Sequence, residues 1–322
     1  MRRRSLLRGL AAAALLAAPT RLRASGHLAP AWERWKGAYM LGDGRVVDGF
    51  QGGASHSEGQ GYGMALASAF GDRAAFDAMR RWTERNLALR ADALLSWRWL
   101  PDTPEPVPDR NNASDGDLFF AWALTRGGIL FDDPALTRRA GEMARDLAAA
   151  CVVRNPDGSG RVLFLPAAEG FARDGGVIVN PSYYFPRAMR ELAAAHGAAP
   201  LAQAAEDGAA LIAGLAAGGL TPDWLLVTPF GSGPAPGLSD ASGYEALRVP
   251  LFLLWSGLAG HPAVARHAAA LAAGGAGGAG TPTVLDPATG AVREASQHAG
   301  YAAIAALAAC ASGDRIGAPN PP

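Results

Sequence analysis

Apolar residues recur at three- and four-residue spacing in ten stretches of the chain: 31–40, 59–70, 73–89, 116–127, 134–152, 184–196, 201–217, 244–258, 262–274 and 296–311. That period gathers them on one face of a helix. The segments between are rich in Gly, Pro, Asp, Asn and aromatic residues, which interrupt helices. Local punctuation agrees with the period at two places. Asp133 before Pro134 predicts an N-cap with proline at the first helical position, and Gly197 predicts a stop for the helix ending "ELAAAH".

The predicted helices are of two alternating kinds. "GDLFFAWAL" and "YEALRVPLFLLW" are apolar nearly all round, whereas "DRAAFDAMRRWTERNL" and "DDPALTRRAGEMARDLAAA" carry an apolar stripe opposite an arginine and glutamate face. Helices apolar all round are buried, and striped ones cover them. The fold class this predicts is all-α, with inner and outer helices alternating in a closed two-layer arrangement. Two strand-like segments, 160–167 and 175–182, predict a small hairpin or sheet. The tract "AAALAAGGAGGAGTP" at 268–282 predicts a surface loop.

The first 24 residues stand apart. Arg2, Arg3 and Arg4 precede a short apolar run, Gly9 to Ala18, and Leu22 to Ala24 offers a small-residue cleavage site. This is the pattern of an export signal, and the arginine cluster also resembles a twin-arginine signal. The apolar run is short of the roughly 20 residues that a membrane span needs. The expected organisation is therefore an export signal over 1–24 and one domain over 25–322, with the mature protein periplasmic or secreted and without a membrane span. Removing the leader leaves 23 basic residues against 29 acidic ones, a net charge of −6 with no basic stripe. That argues against nucleic acid as a partner. Cys151 and Cys310 both lie in alanine-rich apolar stretches, where a free thiol packs as a small hydrophobe and is favoured over a disulfide. No CxxC or HExxH spacing occurs, so no motif calls for a metal or a cofactor.

Four polar clusters precede inner helices: "SHSEGQGYGM" with Glu58, "DRNNASDGDLFFAW" with Asp115 and Asp117, "NPSYYFP" with Asn180, Tyr183 and Tyr184, and "LSDASGYEALRVP" with Asp240, Tyr244, Glu245 and Arg248. In a closed bundle, loops at one end converge. Paired carboxylates in an aromatic cleft suit glycosidic bond cleavage, because one acid protonates the departing oxygen while a carboxylate assists attack at the anomeric carbon. Trp97, Trp99, Tyr183, Trp224 and Tyr244 have the flat apolar faces that stack on sugar rings. The glycines around Glu58 read as leaving it uncovered for a sugar chain.

Simpler readings compete at each point. Ser114 or Asp115 suits a helix cap, and Glu58 suits a first-turn acid favoured by the helix dipole. Trp97 and Trp99 alternate as one buried face of an extended segment. Arg248 is placed to pair with Glu245 on a helix surface.

Taken together, the segments "WERWKGAYM", "GRVVD", "SEGQGYGMALA", "FDAMRRWTERNL", "LLSWRW", "NNASDGDLFFAWAL", "NPSYYFP", "LTPDW" and "GYEALRVPLFLLW" resemble glycoside hydrolase family 8 over nearly the whole mature chain. They are most similar to its periplasmic endoglucanases of bacterial cellulose synthesis. The resemblance implies an (α/α)6 barrel and an inverting endo-β-1,4-glucanase that needs no cofactor. It implies β-1,4-glucan as the partner, with a cellulose synthase export complex as a candidate second one. By motif position Glu58 resembles the general acid, and Asp115 the residue that stabilises the sugar in the cleavage subsite. Tyr62, Trp97, Asn180, Tyr183, Trp224, Tyr244 and Arg248 are expected to hold substrate or orient the base. The family pattern reads Tyr-Asp-Ala where this chain has Tyr244, Glu245 and Ala246. Glu245 is thus the expected base with one added methylene, and Asp240 is the fallback. Two alternatives go with this reading: a family 8 hydrolase of chitosan, xylan or mixed-linkage glucan, and a non-catalytic glycan-binding protein.

Overall fold

The computed structural model describes residues 28–275 and 280–313; the predicted export signal lies outside the described residues. All ten predicted helices are present: α1 (Ala29–Tyr39), α2 (Ser57–Phe70), α3 (Arg73–Asn86), α4 (Ser114–Leu130), α5 (Pro134–Cys151), α6 (Pro186–His196), α7 (Ala199–Gly218), α8 (Arg248–Trp255), α9 (Pro262–Gly275) and α10 (Ala299–Ala311). Asp133 caps α5 by accepting a hydrogen bond from the Ala135 amide, with Pro134 at the first helical position. Gly197 ends α6 in the left-handed region at φ 71°, which a side chain would disfavour. No helix among the described residues is long and apolar enough to cross a membrane.

The helices that were apolar all round in sequence form the interior. α4 is buried along almost its whole length and packs against α2, α5 and α6. Phe119 of α4, Phe185 just before α6 and Phe252 of α8 pack on one another, with ring centroids 5.1–5.3 Å apart, so these three helices share one aromatic centre. α3 and α5 turn their arginines outward. α10 packs chiefly on α8 and α9, and on its open side Leu307 is 40% exposed.

The β structure departs from expectation. Among the described residues ten short strands form four antiparallel sheets, and the two predicted strands belong to different ones. β4 (Val162–Phe164) pairs with β3 (Val152–Arg154), because the intervening "NPDGSG" reverses the chain with Gly158 and Gly160 at φ 74° and 77°. β6 (Gly176–Val179) instead lies between β5 (Ala172–Arg173) and β7 (Leu225–Thr228), with β8 (Gly231–Pro234) at the edge. β1 (Ser55–His56) pairs with β2 (Arg98–Trp99) in front of α2. The tract expected as a loop at 268–282 is helical to Gly275, and Thr281–Leu285 is strand β9, paired with β10 (Val292–Ser296). Alanine continues α9 further than its glycines suggest, and Thr281, Thr283 and Val284 suit a strand. Residues 276–279 lie outside the described residues. Cys151, buried at the end of α5, and Cys310, exposed on α10, are both free thiols.

Candidate active site

Four segments converge where α2, α4 and α8 begin. The chain enters α2 through His56 in extended conformation, and no side chain caps the helix. Gln60 anchors that start: its Nε2 donates to the Thr83 hydroxyl at 2.7 Å and the Met79 carbonyl at 3.1 Å, while its Oε1 accepts from the Val46 amide. Two of the neighbouring glycines face protein. A Cβ at Gly61 would lie 2.8 Å from Phe119, and one at Gly63 would lie 2.5 Å from the Met79 sulfur. A Cβ at Gly116 of α4 would stand 2.7 Å from the Glu58 amide. The expectation that the glycines around Glu58 leave room for a sugar is therefore corrected for Gly61 and Gly63, while Gly59 lines the cleft: Gly61 and Gly116 let α2 and α4 touch at the point where each presents its acid, and Gly63 makes room for Met79 of α3.

Ser114 and Asp115 do not cap α4 by a side-chain bond. The Ser114 hydroxyl donates to the Leu165 carbonyl at 2.6 Å. Asp115 is buried beside Glu58 and accepts from the Gly116 amide at 2.8 Å. Burial and the Glu58 charge push its carboxyl well above the usual range, against the pull of Arg248. Asp117, on the other side of the helix start, accepts from the Leu95 amide at 2.8 Å and from Asn112 Nδ2 at 2.9 Å, so it ties two loops together.

Arg248, the first residue of α8, joins the segments. Nη1 donates to Glu58 Oε1 and, at 3.3 Å, to Asp115 Oδ2; Nη2 donates to Glu245 Oε2 and, at 2.9 Å, to the Ser182 hydroxyl. Burial opposes the guanidinium charge, but Glu58, Tyr62, Glu245 and Asp115 outweigh it and hold the pKa well above the usual value. The Tyr62 hydroxyl donates to Glu58 Oε1 at 2.6 Å. Asn180 caps the short turn Pro181–Tyr183 and donates from Nδ2 to Glu245 Oε2 at 2.8 Å. Burial first, then the surrounding carboxylates, raise the Tyr62 and Tyr183 phenols well above their ordinary value, which keeps both as neutral donors.

Of the expected residues, Glu58, Asp115, Glu245, Tyr62, Asn180, Tyr183 and Arg248 come together around this guanidinium. The surface-pair reading of Arg248 is incomplete, since it reaches Glu245 and two further acids. A cleft of about 790 Å³ opens above, lined by Trp97 and Trp224 among others. The Trp97 ring has the Arg98 guanidinium 4.2 Å from its centroid and the His56 ring at 5.9 Å. Trp99 is part of the packing instead, against Trp82 and under Arg45.

Tyr244 is a correction. It is 50% exposed, does not line the cleft, and donates to Glu294 of β10 at 2.9 Å. The helix predicted from 244 begins only at Arg248. Before it, buried Asp223 accepts from the amides of Gly243 and Ala246, at 2.8 and 2.9 Å, which fixes a turn that sends Glu245 inward and Tyr244 outward. Asp240 is likewise directed to the surface, 3.7 Å from Arg293. Sequence reasoning missed Asp223 and Ser182, and also His56, Phe50 and Phe171, which line the cleft. "LTPDW" contained Asp223, but only the fold shows whose amides it receives.

Residues 6–314 match glycosyl hydrolases family 8. The chain belongs to that family. It is 35% identical over 228 residues to an endoglucanase of Cellulomonas uda, a match that covers 70% of this chain and 63% of the relative, so the chain spans less than two thirds of that relative's length. Among solved structures it resembles endo-beta-1,4-glucanase CMCax from Acetobacter xylinum, with TM-score 0.77, 35% identity, and 85% of this chain and 86% of that one covered. Endoglucanase Cel10 of Klebsiella pneumoniae, a family 8 glycosyl hydrolase, superposes with TM-score 0.80 at 32% identity over 90% of this chain and 92% of that one. The mostly helical architecture with small antiparallel sheets is thus that of its family 8 neighbours.

Asp117 makes stability depend on pH. Burial raises its carboxyl from 3.8 to about 7. Between those values the folded protein holds a proton that the unfolded chain has released, so folding weakens as pH rises through that window, by at most about 4 kcal/mol. Urea unfolding of wild type and Asp117→Asn from pH 4 to 8 tests this. The variant starts weaker, having lost an acceptor, and the gap closes as pH rises; a gap constant with pH refutes the assignment.

Proposed function

We propose that the protein is an inverting endo-β-1,4-glucanase of cellulose or a related β-glucan, built on an (α/α)6 barrel as a single catalytic domain over 25–322 and exported to the periplasm or medium. The observation that carries the reading is Arg248, which gathers Glu58, Glu245 and Asp115 on one guanidinium beneath an open aromatic cleft. The alternation of buried and striped helices supports the barrel. Family membership and the endoglucanases it resembles support the substrate.

In this reading Glu58, uncovered at the start of α2, protonates the departing glycosidic oxygen. Glu245 takes a proton from the water that attacks the opposite face of the sugar. The two carboxylates meet different amino nitrogens of Arg248 and are held apart by the guanidinium. An inverting pair needs its carboxyls about 6.5–9.5 Å apart to admit the water. Buried Asp115 supports the sugar at the cleavage point, and Trp224, stacked on Phe171 at 5.8 Å, offers a braced face for a ring further along.

Carboxymethyl cellulose tests all three parts. Viscosity is expected to fall faster than reducing ends accumulate, and proton NMR is expected to show the α-anomer first. Initial β-anomer excludes inversion. Failure to cut soluble cellulose while chitosan, xylan or mixed-linkage glucan is cleaved moves the substrate to that polymer.

A further inference from the structure

His56 stands at the mouth of the site, two residues before Glu58 and opposite Arg98 across the β1–β2 pair. It lines the cleft, and its ring stacks on Trp97 at an interplanar angle of 27°. Nε2 is sealed from solvent and has no hydrogen-bond partner among the described residues. A buried polar atom without a partner is costly, and an orphaned N–H is rarer than an orphaned acceptor. The arrangement therefore favours the tautomer with the proton on Nδ1, the nitrogen left to meet a ligand in the cleft. Burial holds the imidazole below its ordinary pKa, in spite of Asp48 and Glu58, which keeps it neutral in this role. Packing alone does not call for a histidine here: a phenylalanine fills the same place on Trp97 and leaves no nitrogen unpaired.

We propose that His56 is a substrate-binding residue that donates a hydrogen bond from Nδ1 to a sugar hydroxyl oxygen in the subsite next to Glu58, with Trp97 bracing its ring. The inference rests on the glucanase reading for its ligand class, a β-1,4-linked glucose chain. It adds a polar contact made from β1, ahead of the helix that carries the acid. A donor from this side registers the chain along the cleft, because a hydroxyl that misses Nδ1 leaves both groups without a partner.

Turnover and binding together test it. Cellohexaose hydrolysis is measured for wild type, His56→Ala, His56→Phe and His56→Asn, and cellohexaose affinity is measured by calorimetry with the same substitutions in a Glu58→Gln background. Asparagine places its amide close to the Nδ1 position, whereas phenylalanine keeps the stack on Trp97 and removes the donor. Loss of one such hydrogen bond is expected to raise KM and Kd about fivefold in the alanine and phenylalanine variants, with kcat little changed and most of the loss recovered by asparagine. Native affinity in His56→Phe overturns the proposal, as does a fall in kcat alone, which marks a structural effect on Glu58. Cellohexaose that binds in a His56-dependent way without being cut leaves the proposal standing and defeats the glucanase reading. Normal turnover indifferent to His56 does the reverse, and absence of both binding and turnover defeats both.

Discussion

Replacing Glu58 with glutamine is expected to lower kcat on cellulose derivatives by about 10³-fold, within the 10²–10⁴ that a positioned general acid contributes. Glutamine keeps an oxygen for the Tyr62 hydroxyl, 2.6 Å away in the native protein, so the fold and the cleft should survive. Arg248 retains Glu245 and Asp115 as partners. What disappears is the proton for the leaving oxygen. The loss should therefore depend on the leaving group: an aryl cello-oligoside that releases a dinitrophenolate needs little protonation and should be cut nearly as fast as by wild type. Comparing kcat on the two substrates checks this. Equal loss on both removes Glu58 from the role of acid.

The second large effect is expected at Glu245. Glu245→Gln should reduce kcat/KM by at least about 10²-fold and abolish the acidic limb of its pH profile, since that limb reports the base losing its proton acceptance. Glu245→Asp separates the carboxylate from its reach. The native side chain is seated by Asn180 Nδ2 at 2.8 Å and by Arg248. Shortening it by one methylene withdraws the oxygens by about 1.5 Å. A 1 Å misplacement costs about 10²-fold, so aspartate, though it is the residue of the family pattern, is expected to be slower here by one to two orders of magnitude with the acidic limb intact. Aspartate faster than wild type shows that this site is strained by its glutamate rather than built around it. A glutamine variant with native rate passes the base to another group.

The helices were legible in the sequence because burial imposes a period, and Asp133, Pro134 and Gly197 marked their ends. The strands were less legible. β4 and β6 were each recognisable, but their partners were set by turns: "NPDGSG" folds β4 back on β3, and β6 is paired with a segment nearly fifty residues later. β9 was hidden by the glycine tract before it. At the site, the acids and their arginine were legible because each occupies a motif position, and the structure brings those same side chains together. Tyr244 was misplaced because one buried aspartate, Asp223, turns the backbone out of helix just where apolar spacing continues it. His56 and Phe50 carried no signal, since neither belongs to a periodic pattern and only the walls of the cleft show what they face.

Gly116 gives the contact between α2 and α4 a last consequence. It lies directly after Asp115, and a single added carbon there would stand 2.7 Å from the backbone nitrogen of Glu58. The spacing of the two acids is therefore gauged by a hydrogen atom, not by either carboxylate. The acids can change and leave the helices in place; the spacer between them admits no larger size, and any side chain at that position pries the start of α2, with Glu58, away from Asp115.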